Sequence, residues 1–318
     1  MANSTDVTLF YFPGSYYSRR VLLALYEKQI AFIDRKINIL LGIQNEDWYL
    51  SMNPKGEIPV LKHGNVIVCD STDILEYIED NIPTDKRLLP PRDTQVGKDV
   101  MAFCKYLNTI VIDVITYGIW THPERSPEGL NLLLRLLAKP KETVHRLSSL
   151  AAELRQKAEK NDKFKDYFLS KSQHWDTFVA QIDDTETVTR HLDGLETVFK
   201  RADALLAKSK SDAVSKSIET WLFGESFTLA DVYMVALIDR LNFLGISCRY
   251  FNVEKNPNVL RFWKQARTRP SFRKLIKESR WSFMSLVAPK ILKSTASVLM
   301  GIAVVGVAVG IFVALGRT

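Results

Sequence analysis

Cysteine is nearly absent from this chain: three occur in 318 residues, Cys69, Cys104 and Cys248. They lie far apart and form neither a Cys-x-x-Cys pair nor a metal-ligand spacing. That excludes a disulfide-stapled scaffold and a zinc finger, and it fits a reducing compartment. The five histidines, His63, His122, His145, His174 and His191, include no pair four residues apart, so no helical metal motif is present. The start of the chain lacks basic residues ahead of an apolar stretch and is poor in the arginines of a mitochondrial presequence, so any targeting signal is expected elsewhere. Basic residues outnumber acidic ones, 43 to 36, for a formal charge of +7 and a pI of about 9.1. The balance favours anionic surfaces such as lipid headgroups. The cations are dispersed and no nucleic-acid-binding motif accompanies them, so DNA and RNA are not expected partners.

What is present is ordinary globular material, 46% hydrophobic and 25% charged, followed by one exceptional run. Residues 298–315, VLMGIAVVGVAVGIFVAL, carry no charge. About eighteen residues at a rise of about 1.5 Å each just cross a bilayer core of about 30 Å. The competing reading is a buried core helix, but such a helix seldom lacks polar side chains on every face. A span this late in the chain inserts only after synthesis, as a tail anchor with the bulk of the protein in the cytosol. Its shortness, its glycines and its basic flanks (Lys290, Lys293, Arg317) suit a thin membrane, the mitochondrial outer membrane first, with peroxisome and endoplasmic reticulum as alternatives. Gly306 and Gly310 form a GxxxG pair through which two copies could dimerise. Residues 281–297, with Trp281, Phe283, Met284, Val287 and Ile291 among basic residues and Pro289 as an interruption, read either as an interfacial amphipathic segment or as a last helix packed on the body.

The rest divides at about residue 83. Before it, strand and helix alternate: strands over 7–12, 31–37, 58–62 and 66–69, helices over 19–28 and 73–82, with the turn His63-Gly64-Asn65 between the last two strands. The order βαβ then ββα describes a small thioredoxin-like α/β unit over 1–83. Residues 84–280 read as all-helical, with one long helix over 96–120 and others over 191–208, 229–244 and 257–268. Within this part, about 122–190 is rich in charge and reads as an exposed helical insertion or a partly disordered loop.

Four stretches carry chemistry. In Asn53-Pro54-Lys55-Gly56-Glu57-Ile58-Pro59, Gly56 permits a tight turn and Pro59 cannot donate to a sheet ladder. A cis bond before Pro59 would present the N–H and C=O of Ile58 to an extended peptide; a plain turn into an edge strand is the alternative. Asp70-Ser71-Thr72-Asp73 precedes a helix, where Ser71 or Thr72 is a natural cap. Ser15 and Ser18, in Pro13-Gly14-Ser15-Tyr16-Tyr17-Ser18, are likewise cap candidates. Thr228 and Asp231, in Phe227-Thr228-Leu229-Ala230-Asp231-Val232, have capping-box spacing with Phe227 and Val232 as an apolar staple.

Together these stretches resemble the cytosolic glutathione transferases, and the resemblance implies further roles. The Ile58-Pro59 segment would pair with glutathione. Ser71 and the helix N–H groups would receive its γ-glutamyl carboxylate, and Asp70 would meet its ammonium. Ser15 would donate to the sulfur and favour thiolate, with Tyr16, Tyr17 and Ser18 as rivals. The insertion, the Trp120-Thr121-His122-Pro123 segment, Gly224–Asp231 and the terminal run narrow the likeness to the ganglioside-induced differentiation-associated protein family. Its members are tail-anchored in the mitochondrial outer membrane, influence fission and have weak or disputed transferase activity. The resemblance therefore implies a membrane-bound regulator of mitochondrial shape and redox state, tuned by glutathione or an apolar ligand and needing no metal; a working transferase for electrophiles is the alternative. One departure stands out: Glu57 sets a carboxylate beside an anionic tripeptide, worth about 1 kcal/mol against binding if solvent-screened.

Overall fold

The computed structural model describes residues 6–129, 140–213 and 219–278. The expected anchor (298–315), its Gly306/Gly310 pair and the 281–297 segment lie outside the described residues.

The amino-terminal unit is built from β1 (Val7–Tyr11), α1 (Tyr16–Glu27), β2 (Ile33–Lys36), α2 (Asp47–Met52), β3 (Val60–His63), β4 (Val66–Cys69) and α3 (Ser71–Asn81). The sheet order is β2-β1-β3-β4. β2 is parallel to β1, and β3 and β4 are antiparallel to their neighbours. Along β1, Val7, Leu9 and Tyr11 point to one face and are buried, as the two-residue period of a strand requires. They pack with Val21, Leu22 and Leu25 of α1 and Ile74 and Ile78 of α3. α2 did not register in the sequence: six residues are too few to establish a helical period.

The register fixes where function can sit. Phe10 pairs with Val60, Val60 with Cys69, and Tyr11 with Lys36. The carboxyl ends of β1, β2 and β4 and the amino end of β3 therefore share one end of the sheet. Residues 12–15, 37–45, 57–59 and 70–72 all emerge there.

The second part holds α4 (Gln95–Leu107), α5 (Ile112–Thr121), α6 (Pro140–Lys160), α7 (Lys165–Asp183), α8 (Thr185–Asp212), α9 (Leu229–Phe243) and α10 (Pro257–Ala266); residues 270–278 are helical again. α9 is the central post, buried on nearly every face between Leu229 and Leu241. It starts with a capping box: Asp231 accepts from the Thr228 N–H at 2.7 Å and from the Leu222 N–H at 2.9 Å.

One expectation changes, and for the charged insertion the helical alternative holds among the described residues. The single helix over 96–120 is two, because α4 stops at Asn108 and the β-branched residues Thr109, Ile110 and Val111 crowd a helical backbone. The N–H groups of Thr109 and Ile110 instead close three-residue turns onto Tyr106 and Leu107, at 3.1 and 3.3 Å. The charged insertion, for its part, is an ordered hairpin over residues 140–183. α6 and α7 bury Leu154, Ala158 and Phe168 against Leu50 of α2, and Leu147, Phe178 and Ile182 against Val114 of α5.

Candidate functional site

Ser15 caps α1 at the shared end of the sheet, its Oγ accepting from the Ser18 N–H at 3.3 Å. That bond uses a lone pair and leaves the hydroxyl proton free to donate. The neighbouring hydroxyls are placed differently. Tyr16 is buried and its phenol accepts from Arg20. Ser18 is fully buried, and its Oγ has no partner among the described residues. Tyr17 is half-buried with its ring edge-on to Tyr16 at 5.2 Å. Of the four sequence candidates, Ser15 and Tyr17 are half-buried, whereas Tyr16 and Ser18 are buried. Burial, then Asp113, pushes the Tyr17 phenol well above its ordinary value, so it remains a protonated donor.

The 53–59 loop is held from behind. The Glu57 carbonyl accepts from Tyr49 Oη and from Asn53 Nδ2, both at 2.8 Å, and the Lys55 N–H donates to Asn53 Oδ1 at 3.1 Å. Gly56 lies at φ +58°, and the Ile58–Pro59 bond is cis. The N–H and C=O of Ile58 take no part in the backbone bonds that close the surrounding turns. Across the β3–β4 pairing, Asp70 caps α3, accepting from the Thr72 N–H at 2.7 Å, with Ser71 buried at the first helical position. Asp70 sits at φ +75°, a conformation non-glycine residues seldom adopt and one that clusters at ligand clamps.

Arg20 ties these pieces together. Its guanidinium is buried between the rings of Tyr16 and Tyr233, 4.3 and 4.1 Å from their centroids. It donates to Asn108 Oδ1 at 2.7 Å, and Asn108 donates in turn to Thr72 Oγ1 at 3.1 Å. The amino ends of α1 and α3 are thus linked through the break between α4 and α5.

The helical part forms the opposite wall. Arg240 of α9 donates to the Gly14 carbonyl at 2.6 Å, one residue before Ser15. Asp113 of α5 is exposed at its surface. Desolvation by the surrounding protein raises its carboxyl pKa, with Arg240 opposing and Glu57 adding. From the insertion, Tyr167 donates to Asn45 Oδ1 at 2.7 Å, and Lys171 Nζ lies 3.6 Å from Glu57 Oε1. Sequence reasoning missed Asn45, Tyr167 and Lys171. Their signal was the stripe Leu147-Ala151-Leu154-Ala158 on α6, whose helical spacing marks a buried face beneath the charges. Burial pushes the thiol of Cys69, beside Asp70, above its ordinary pKa, which disfavours the thiolate. Among the described residues no group of three or more His, Cys, Asp or Glu is placed to hold a metal ion.

Comparison with known proteins gives the same architecture a context. The family model described as "Glutathione S-transferase, N-terminal domain" matches residues 9–86, and that described as "Glutathione S-transferase, C-terminal domain" matches residues 174–270. The human protein "Ganglioside-induced differentiation-associated protein 1-like 1" is 25% identical over 286 residues, 89% of this chain and 77% of the human one. "Glutathione S-transferase TCHQD" of Arabidopsis thaliana is 25% identical over 84% of this chain and 88% of its own length. Among solved structures, the beta-etherase LigF from Sphingobium superposes with a TM-score of 0.62 at 19% identity, covering 86% of this chain and 99% of that one. Ure2p in complex with glutathione superposes at 0.55 and 18% identity, over 87% and 96%. These likenesses establish the fold.

Proposed function

The chain belongs to the glutathione S-transferase family, and we propose that it is a glutathione-binding, membrane-anchored regulator of mitochondrial network shape and redox state. The observation that carries the glutathione reading is the alignment of three segments at one sheet end. Ser15 stands at the α1 cap, Ile58 beside Pro59 presents an N–H and C=O with no backbone partner among the described residues, and Asp70 is held in a strained cap with Ser71 at the start of α3. In this reading Ile58 pairs with the cysteinyl backbone, and Ser71 with the α3 N–H groups holds the γ-glutamyl carboxylate. Asp70 faces the ammonium, and Ser15 donates to the sulfur. Fold neighbours solved with glutathione or oxidised glutathione support the ligand class.

The membrane part rests on residues 298–315 and on the relation to the ganglioside-induced differentiation-associated proteins. We place the span in the mitochondrial outer membrane, with the peroxisome as the alternative, the body in the cytosol and Gly306/Gly310 as a route to a homodimer. A second reading, an active transferase acting on electrophiles at the membrane surface, draws on the free Ser15 hydroxyl proton. Calorimetric titration of the full chain with glutathione, together with turnover of a generic electrophile, separates the two. Binding without turnover, with altered organelle shape on deleting 281–318, favours the regulator. Binding with turnover favours the enzyme, and no binding sinks both. A fluorescent fusion that stays on mitochondria after loss of 298–318 would contradict the anchor.

A further inference from the structure

A peptide paired antiparallel with Ile58 has its direction set by the sheet. Its amino end runs toward Pro59 and the Val60–Cys69 pair, hence toward Asp70 and Ser71. Its carboxyl end runs the other way, toward Glu57 and Gly56. A tripeptide spans only about 10 Å when extended, so the glycyl carboxylate of glutathione falls beside Glu57. Left alone, that position is hostile, because it sets a carboxylate against a carboxylate.

The insertion hairpin packs on this end of the 53–59 loop. Tyr167 bonds Asn45 at 2.7 Å, and a Cβ added to Gly56 would lie 2.1 Å from its hydroxyl. One helical turn later Lys171 reaches Glu57 at 3.6 Å, with its side chain largely covered and that of Glu57 more than half exposed. We propose that α7 supplies the third wall of the glutathione site and that Lys171 is its specificity-determining cation, neutralising Glu57 and facing the glycyl carboxylate. The assignment rests on the glutathione reading above. It accounts for the one departure in the binding segment, since Glu57 is matched from the insertion.

The test uses the detergent-solubilised full chain, titrated with glutathione and with its glycyl ethyl ester, which lacks the carboxylate in question. Lys171→Met should weaken glutathione about fivefold and leave the ester unchanged, so that the two ligands bind alike. Adding Glu57→Gln to Lys171→Met should recover most of the lost affinity. Equal weakening of both ligands would mean that Lys171 acts only through the fold, and no weakening of either would mean that it does not act at all; each overturns the assignment. Absence of glutathione binding by the unaltered chain overturns the glutathione reading itself and the assignment with it.

Discussion

Asn108 accepts from Arg20 at 2.7 Å, and that bond joins the first helix of the sheet unit to the break between α4 and α5. Among the described residues no carboxylate pairs with Arg20; its charge is met by Asn108, the Tyr16 hydroxyl and the faces of Tyr16 and Tyr233. Lysine cannot replace this arrangement, having neither the planar fork nor the stacking surface. Arg20→Lys should cost about 2–4 kcal/mol in denaturant unfolding, because a buried charge is left poorly partnered. Arg20→Met, which removes the charge altogether, should cost less. The reverse order would show that the cation is replaceable and the joint merely packed.

Glu27 is the acid-sensitive point. Arg269 grips it with Nε at 2.6 Å and Nη2 at 2.7 Å, and Lys86 and Ser271 add further bonds. Burial alone would raise its pKa, but these partners outweigh burial and bring it to about 2. A carboxylate depressed below its ordinary value stabilises the fold above about pH 4.5, and that contribution, on the order of 3 kcal/mol, is lost as pH falls toward 2. Asp231 runs the other way. Burial pushes it up to about 6, so its share of stability declines as pH rises through that value. Glu27→Gln should therefore lower stability at neutral pH and flatten the stability profile between pH 4.5 and 2. Chemical denaturation across that range checks it; an unchanged acid slope would remove Glu27 from the account.

The parts of this fold that can be read from the chain are those where a local rule and the tertiary structure agree. Val7, Leu9 and Tyr11 alternate as a half-buried strand must, and Thr228 and Asp231 have the spacing of the box they form. Asn53 to Pro59 announced its turn through Gly56. The illegible parts depend on contacts made far away in sequence. Charge along α6 and α7 hides an apolar stripe that acquires meaning only once Leu50 and Val114 are beside it. Lys171 looks like one solvated lysine among many until the hairpin lays it on Glu57. Tyr16 and Ser18 could not be separated from Ser15 on spacing alone; helix rotation turns the first two into the core.

Gly56 makes the hairpin's grip measurable. It lies at φ +58°, and a methyl there would meet the Tyr167 hydroxyl, which is tethered to Asn45. Gly56→Ala should cost about 1–3 kcal/mol from backbone strain together with the clash. Combining it with Tyr167→Leu should relieve the clash and return part of that loss. Hydrogen exchange of α7 amides should rise in the single variant. Additive losses in the double variant would separate the hairpin from the loop.

Ser15 carries two duties that substitution can pull apart. As the α1 cap it bonds the Ser18 N–H at 3.3 Å, and loss of such a cap costs about 1 kcal/mol with alanine but only a few tenths with glycine. As donor to the glutathione sulfur, neither replacement can serve. Ser15→Ala and Ser15→Gly should therefore differ in melting temperature yet lose thiolate absorbance of bound glutathione alike, with any turnover falling by about a hundredfold in both. Tyr17→Phe, at the other candidate that is only half-buried, should leave the thiolate in place. If Tyr17→Phe removes the thiolate and the Ser15 variants keep it, the role belongs to the phenol.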